Sequence, residues 1–178
     1  VDTNLMIIDT KKPNNKEIRS LPDESINAGD YIDYAGGKWL VTIADFDDEV
    51  YTIGEMSQCS LLLKWQNAAG TIIERYAVVE KPTNTSLNDG TVITTSDKQY
   101  SIKLPIDSET QNLFVGKRFL LEKANSTPLS YSLTSYDGVS GNYGQGGILN
   151  ITLTQDEYNS TTDNASLMIA DYFSPTQS

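Results

Sequence analysis

The densest group of potential metal ligands is an acidic segment that contains Asp45, Asp47, Asp48 and Glu49. Several carboxylate oxygens that converge on one turn can coordinate a hard cation such as Ca²⁺. The segment does not match the EF-hand pattern, because it lacks the glycine at the sixth loop position and the bidentate glutamate at the twelfth. The sequence therefore favours a solvated acidic turn without a metal, and we expect these four residues to contact a partner molecule.

The residues of nucleophilic catalysis are largely missing. The chain has no histidine, which removes the Ser–His and Cys–His pairs, the usual zinc ligand and the usual general base. Cys59 is the only cysteine, so no intrachain disulfide can form, and such a cysteine is typically a small buried hydrophobe. Residues 144–147 are rich in glycine but lack the Lys-Ser/Thr pair and the helix of a phosphate loop.

Pairs of carboxylates of the kind that hydrolyse glycosides are not informative in this sequence. The chain has 24 aspartates and glutamates, so chance pairing is close to certain. We therefore predict no catalytic residues, no metal and no cofactor, and a protein that is not an enzyme. A hydrolase would need two carboxylates that face each other across a cleft.

The composition restricts the class of protein. The 178 residues carry a net charge of −11, and the isoelectric point is near 4.3. An acidic surface repels phosphate groups, which disfavours tight binding of nucleic acid and favours solubility. The sequence has no apolar stretch that could span a membrane and no visible signal peptide. It begins at Val1 rather than at Met, so we expect a mature, trimmed or partial form.

The elements that must position these residues are strands. Ten tyrosines and many β-branched residues favour strands, and good helix formers never recur at helical spacing. Residues 29–41 predict a β-hairpin whose turn is Gly36-Gly37, because both glycines accept positive φ. Alternation along the second strand places Trp39, Val41 and Ile43 on one face.

We predict an all-β fold of two small related β-barrel or β-sandwich modules, joined by a short linker and preceded by an extended N-terminal arm. The linker is expected where polar residues and Asn-Asp-Gly turn chemistry occur together. The predicted boundaries are 1–26 for the arm, 27–82 for the first module, 83–90 for the linker, 91–173 for the second module and 174–178 for a tail.

Three local predictions complete this scheme. The arm could contain one helical turn at residues 16–20, and Asp107 or Ser108 is expected to cap another. Residues 165–173 predict the last strand. Residues 137–147 hold five glycines and predict a flexible loop, in which Gly138, Gly141, Gly144 and Gly146 are candidates for contact with a partner.

An internal echo suggests that the two modules are related. When Trp39 is aligned with Phe119, Tyr51 and Tyr131 also coincide, and an alternating apolar strand follows in each copy. Alternation also identifies the residues that anchor the core. These predicted anchors are Trp39, Trp65, Phe119, Leu61, Leu63, Leu149, Ile151 and Leu153.

A combination of motifs resembles a family of virion structural proteins from tailed phages and prophages of Gram-positive, Firmicute-type hosts. The motifs are GDYIDY at 29–34, KWLV at 38–41, LKWQN at 63–67 after Cys59, IER at 73–75, YSIKLP at 100–105 before Asp107 and Glu109-Thr110, KRFLL at 117–121, TDN at 162–164 and LMIADY at 167–172. The resemblance covers roughly residues 25–173, and its motifs carry no known chemistry. Members of the family carry a longer N-terminal segment.

The resemblance implies a head-closure or head–tail connector protein, located in the virion neck and made in the host cytoplasm. Such proteins are small β-barrel or β-sandwich subunits that form rings of roughly six or twelve copies. The implied partners are copies of this chain, the portal, and a tail terminator or another neck protein. DNA passes nearby without being specifically bound, and no membrane is involved.

Two other readings remain open at this point. A capsid decoration protein or a tail-associated protein could come from the same family, and it would differ from a connector in symmetry. A carbohydrate-binding β-sandwich for adhesion to the host wall belongs to a different class. That reading requires exposed aromatic side chains in a groove, so burial of Trp39 and Trp65 would count against it.

Overall fold

The computed structural model describes residues 4–21, 24, 26–47, 51–80, 99–142 and 146–174. The described residues form eleven strands and one short 3₁₀ turn at Thr110–Asn112. The prediction of an all-β fold is confirmed. The strands are arranged in two antiparallel sheets, one of them a half-barrel and the other a nearly closed barrel.

The first sheet has five strands in the order β1-β2-β5-β4-β3. Each neighbouring pair is antiparallel. The strands are β1 (Leu5–Asp9), β2 (Asn15–Ser20), β3 (Tyr31–Tyr34), β4 (Gly37–Asp47) and β5 (Tyr51–Gln58).

The second sheet has six strands in the order β6-β7-β8-β11-β10-β9. Its largest core cluster includes Leu63, Trp65, Phe119, Leu133 and Ile151. The strands are β6 (Leu61–Gln66), β7 (Ile72–Glu80), β8 (Gln99–Pro105), β9 (Arg118–Ala124), β10 (Thr127–Asp137) and β11 (Ile148–Asp156).

The eight predicted core anchors all lie in the two apolar cores. Seven of them are between 0% and 4% exposed, and Leu61 is partly buried against the core of the second sheet. Trp39 is alone among them in the first sheet, where it shares a core cluster with Ile18, Ile26, Val41 and Met56. Alternation therefore located the core correctly, although it did not show which sheet each strand joins.

A β-bulge changes the face on which the residues of β4 lie. The pairing of β4 with β5 shifts between Val41 and Ile43, which inserts an extra residue. After this insertion Ala44 packs on the core and Ile43 is 49% exposed. The prediction that Ile43 shares the buried face of Trp39 is therefore wrong.

The turn of the predicted hairpin lies one residue earlier than expected. Ala35 and Gly36 have φ values of 50° and 76°, which is the two-residue turn that matches the twist of the flanking strands. Gly37 already begins β4 and pairs with Tyr34. A side chain on Gly36 would meet no atom within 4 Å, so its conformation, rather than space, favours glycine.

The boundary between the sheets differs from the predicted boundary between the modules. β7 pairs with β8 through Val78, Val79 and Glu80, so β6 and β7 belong to the second sheet. Ile73 and Ala77 are buried in the core of that sheet, which explains the pairing. The chain passes from one sheet to the other between residues 58 and 61, and the predicted linker at 83–90 lies outside the described residues.

The N-terminal segment is part of the first sheet rather than an extended arm. Residues 15–20 form strand β2 and not a helical turn, because Ile18 and Ser20 are buried with a period of two. Ile18 pairs with Gly54, whose missing side chain leaves room for it. The strand predicted at 165–173 is also wrong, since Met168 and Asp171 adopt positive φ within a series of turns.

The two sheets do not repeat one topology. Trp39 lies on β4, which has neighbours on both sides, whereas Phe119 lies on the terminal strand β9. The two strands that the internal echo aligns, β6 and β11, belong to the same sheet. The sheets meet at a small cluster in which Ala28, Leu40, Val78 and Ile148 are buried.

Candidate assembly surfaces

An exposed apolar groove crosses the ends of β1, β2 and β5, next to the unpaired side of β1. Met6 and Leu21 are 62% and 56% exposed. We name this cavity of about 720 Å³ the β1 groove. Its lining residues are Asn4, Leu5, Met6, Arg19, Ser20, Leu21 and Tyr51. An apolar groove beside an unpaired strand edge is typical of a surface that receives another chain.

The hairpin formed by β1 and β2 is basic although the chain is acidic. Residues 5–20 contain four basic and two acidic residues, so they carry a net charge of +2 while the rest of the chain carries −13. Lys16 and Arg19 form ion pairs with Asp9 and Glu17. Within the described part of the chain, the exposed residues Lys11 and Lys12 form none. We name residues 5–20 the basic hairpin.

The tip of the basic hairpin is held in a defined conformation. The Thr10 hydroxyl donates to the carbonyl oxygens of Lys12 and Asn15, at 2.9 and 2.7 Å. The Gln58 N–H donates to the Asn14 carbonyl and joins the tip to the end of β5. The two lysines therefore extend from an ordered support.

A second cavity lies at one end of the six-stranded sheet and has a volume of about 560 Å³. We name it the barrel-end cavity. Phe114 and Phe173 line it and are 62% and 47% exposed. The Lys117 amine donates to the Gln66 carbonyl at 3.1 Å, and burial lowers the pKa of Lys117. The Asn67 amide lies 3.3 Å from the Glu109 carboxylate, so the polar groups of the cavity largely satisfy one another.

The described part of the glycine-rich loop packs against residues 27–29, which precede β3, and against β11. Gly146 has a φ of 143°, and a Cβ there would lie 2.5 Å from the Ala28 carbonyl oxygen. A Cβ on Gly141 would overlap the Ile148 carbonyl. These glycines allow close contact between backbones, so the expectation of a flexible loop is wrong for them. Gly144 lies outside the described residues.

The loop also presents one apolar side chain to solvent. The Asp137 carboxylate accepts hydrogen bonds from the N–H groups of Ser140 and Val139, which lowers its pKa. Gly138 lies between Asp137 and Val139 in the chain. Val139 is 85% exposed.

The predicted acidic turn is only partly described. Asp45 is exposed on β4, and the backbone of Asp47 pairs with Tyr51. The side chain of Asp47, and all of Asp48 and Glu49, lie outside the described residues. Among the residues that the structure describes, no group of three or more potential ligands could hold a metal ion.

The most connected polar cluster surrounds Arg118 and was not predicted from the sequence. Its guanidinium binds Asp163 through two nitrogens, each at 2.9 Å, and also contacts Asp156 and Asp171. Burial raises the pKa of Asp163, but the N–H groups of Asp171 and Asn159 and the Arg118 guanidinium outweigh it, so the pKa lies below its ordinary value. The cluster fastens residues 157–171 to the second sheet.

Arg118 also has a raised pKa. Burial lowers it, and the hydrogen bonds and charges of Asp163 and Asp171 more than compensate. A signal for this cluster existed in the sequence, because a single arginine within an apolar strand needs carboxylate partners when it is buried. The partners are 38 to 53 positions away, so the sequence did not identify them.

Comparisons with known proteins identified no relative. No family model matches the chain, and neither the curated proteins nor the solved structures contain a match. In the part of the chain that the structure describes, no helix is long and apolar enough to cross a membrane.

Proposed function

We propose that this chain is a non-enzymatic structural protein of a tailed-phage virion, which forms a ring in the neck between the portal and the tail. The proposal combines the resemblance of its motifs with one structural observation. The first sheet ends in two strands, β1 and β3, that pair on one side only among the described residues. The β1 groove, with Met6 and Leu21 exposed, lies beside one of these strands.

Open strand edges are a liability for a protein that works alone. Unpaired backbone groups beside apolar side chains promote association with other chains, and monomeric proteins usually protect them. In a subunit of an assembly the same features become the contact surface. The two sheets also meet in a shared apolar cluster, which suits a rigid building block.

The proposed partners are other copies of the chain, arranged in a ring of roughly six or twelve, together with the portal and a neighbouring neck protein. The net charge of −11 suits a ring through which DNA passes, because like charges do not condense. This last point predicts that most carboxylates face the channel. Carboxylates concentrated on the outer rim of the ring would contradict it.

Electron microscopy of particles that contain this chain tests the proposal. We expect a ring of two-sheet subunits directly below the portal. Subunits that follow the lattice of the capsid would instead identify a decoration protein, and subunits along the tail would identify a tail-associated protein. Absence of the chain from purified particles, measured by mass spectrometry, would refute any virion role.

The barrel-end cavity supports a second candidate, a carbohydrate-binding module for the host wall. Trp39 and Trp65 are 4% and 3% exposed, which counts against it. Phe114 and Phe173, however, are exposed beside amide and carboxylate groups, and sugars stack on aromatic rings next to such groups. A glycan array with the wild-type chain and Phe114→Ser distinguishes the two. Binding that the substitution abolishes would favour adhesion over a role in the neck.

A further inference from the structure

The two open edges of the first sheet run in the same direction. Four antiparallel pairings separate β1 from β3, so the direction reverses four times and returns to its starting sense. A rotated copy of the chain can therefore continue the sheet by placing its β3 parallel to β1. We infer that β1 of one copy pairs in parallel with β3 of the next, head to tail, and this inference rests on the proposed ring.

The distribution of charge selects this pairing among the three that are possible. Two β1 edges brought together would join two basic hairpins of net charge +2 each. Two β3 edges would bring together Asp30 and Asp33 of both copies. Pairing β1 with β3 instead brings Lys11 and Lys12 towards the acidic strand of the neighbour, which is favourable.

The exposed groups of the two edges are complementary. Asp33 on β3 has a side chain that is 78% exposed although it forms an ion pair with Lys38. Lys11 and Lys12 are exposed at the end of β1. The two strands have similar lengths, five and four residues, so one can cover the other. The pairing would place Met6 beside β3 of the neighbouring copy.

The symmetry of this contact agrees with a ring. A contact between two different surfaces of one subunit repeats around an axis until it closes, whereas a contact between two identical surfaces ends at a dimer. The parallel β1–β3 contact belongs to the first kind. A β1–β1 contact, which would be antiparallel, belongs to the second.

Crosslinking with added cysteines tests the pairing. We would prepare the full chain with Met6→Cys, with Asp33→Cys and with both, and treat each with a bismaleimide at the highest soluble concentration. The wild type is the control, because burial raises the pKa of Cys59 to about 12 and leaves its thiol protonated at neutral pH. We expect a ladder of covalent oligomers from the double variant, dimers from a mixture of the two single variants, and no product from either alone.

Two results of this experiment would overturn the inference. Dimers of the Met6→Cys variant alone would indicate a β1–β1 contact. A double variant without crosslinks would exclude the β1–β3 contact. Neither result would affect the proposed function, which depends on the location of the chain in the particle. Conversely, a β1–β3 ladder without a ring at the neck would refute that function and leave the inference standing.

A charge exchange tests the electrostatic part. Lys12→Glu should weaken self-association about threefold or more in sedimentation equilibrium, and adding Asp33→Lys should restore it. Lys123→Glu, which changes an exposed lysine on β9 by the same charge, should have a smaller effect. Equal effects of the two lysine substitutions would overturn the assignment. Loss of self-association when duplex DNA is added would also overturn it, because the basic hairpin would then prefer DNA to a second copy of the chain.

Discussion

The five-stranded sheet ends in β1 and β3, each paired on one side only among the described residues, whereas the six-stranded sheet curves until its end strands β6 and β9 lie beside each other. Side chains bridge the gap in the second sheet. The rings of Trp65 and Phe119 meet edge to face at 6.3 Å, and the Lys117 amine bonds to the Gln66 carbonyl. The second sheet therefore protects its own edges, whereas in the described part of the chain the edges of the first sheet are available to another molecule.

The core of the second sheet is also the larger of the two. Among the described residues, the core cluster of the second sheet contains thirteen buried residues and that of the first sheet contains five. Buried apolar area is the main source of stability, so we expect the second sheet to be the more stable body. The first sheet gains from contact with the second and, in our proposal, from contact with its neighbours in the ring.

The largest expected loss of stability follows from the removal of Arg118. Arg118→Met leaves the carboxylate of Asp163, whose side chain is fully buried, without its cation. Removal of one partner of a buried ion pair costs about 3–5 kcal/mol. Urea unfolding of Arg118→Met in a Trp39→Phe background, followed by the fluorescence of Trp65 in the second sheet, measures the loss. Lys64→Met, which breaks an exposed ion pair with Glu74 on the same sheet, is the control and should cost less than about 1 kcal/mol.

The next largest effect concerns the junction between the sheets. Gly146→Ala forces a Cβ against the Ala28 carbonyl and strains a residue with positive φ, which should cost about 2–4 kcal/mol. We expect the unfolding signals of Trp39 and Trp65, measured in variants with one tryptophan each, to separate as the junction loosens. Gly116→Ala has the same type of φ but meets no atom within 4 Å, so it should cost about 1 kcal/mol without separating the signals. If both variants separate them, the junction is not the cause.

Acid should weaken the second sheet through two carboxylates, Asp163 and Asp107. Burial raises the pKa of Asp107, but hydrogen bonds from Arg75 and from the N–H groups of Thr110 and Glu109 outweigh it, so this pKa is also lowered. A carboxyl group whose pKa is lower in the folded state stabilises the protein above its ordinary pKa of 3.8. That stability is lost as the pH falls through the folded pKa.

The matching experiment is urea unfolding between about pH 5 and pH 2, followed by Trp65. The midpoint should fall with decreasing pH, and it should fall less in Asp163→Asn, which no longer titrates at that position. An equally steep fall in this variant would assign the acid sensitivity to other groups.

The parts of the fold that depend on local alternation could be predicted from the sequence. Leu149, Ile151 and Leu153 are buried on β11, as their period of two indicates. The Asp107 carboxylate accepts bonds from the N–H groups of Glu109 and Thr110, as expected of a capping residue. Alternation places Ile43 on the wrong face, because a bulge shifts the period without changing the residue types.

The parts that depend on contacts distant in sequence could not be predicted. β6 and β7 are followed by a polar segment with turn residues, which suggested a module boundary, but their apolar face completes the core of β8 and β11. The glycines at 141 and 146 resemble a flexible loop in composition, and only their contacts with Ile148 and Ala28 explain them. The β1 groove arises from residues near 5 and 20 that β1–β2 pairing brings together.

The smallest expected effect on stability is also the one that compares the two exposed apolar surfaces most directly. Met6 in the β1 groove and Phe114 at the barrel-end cavity are both 62% exposed. Substitution of either by serine removes little buried area, so the free energy of unfolding should change by less than about 0.5 kcal/mol. Self-association should separate them, because Met6→Ser removes an apolar contact from the proposed subunit interface and Phe114→Ser leaves that interface intact. Sedimentation equilibrium of both variants measures the difference, and weaker association of Phe114→Ser alone would move the assembly surface from the open sheet to the nearly closed one.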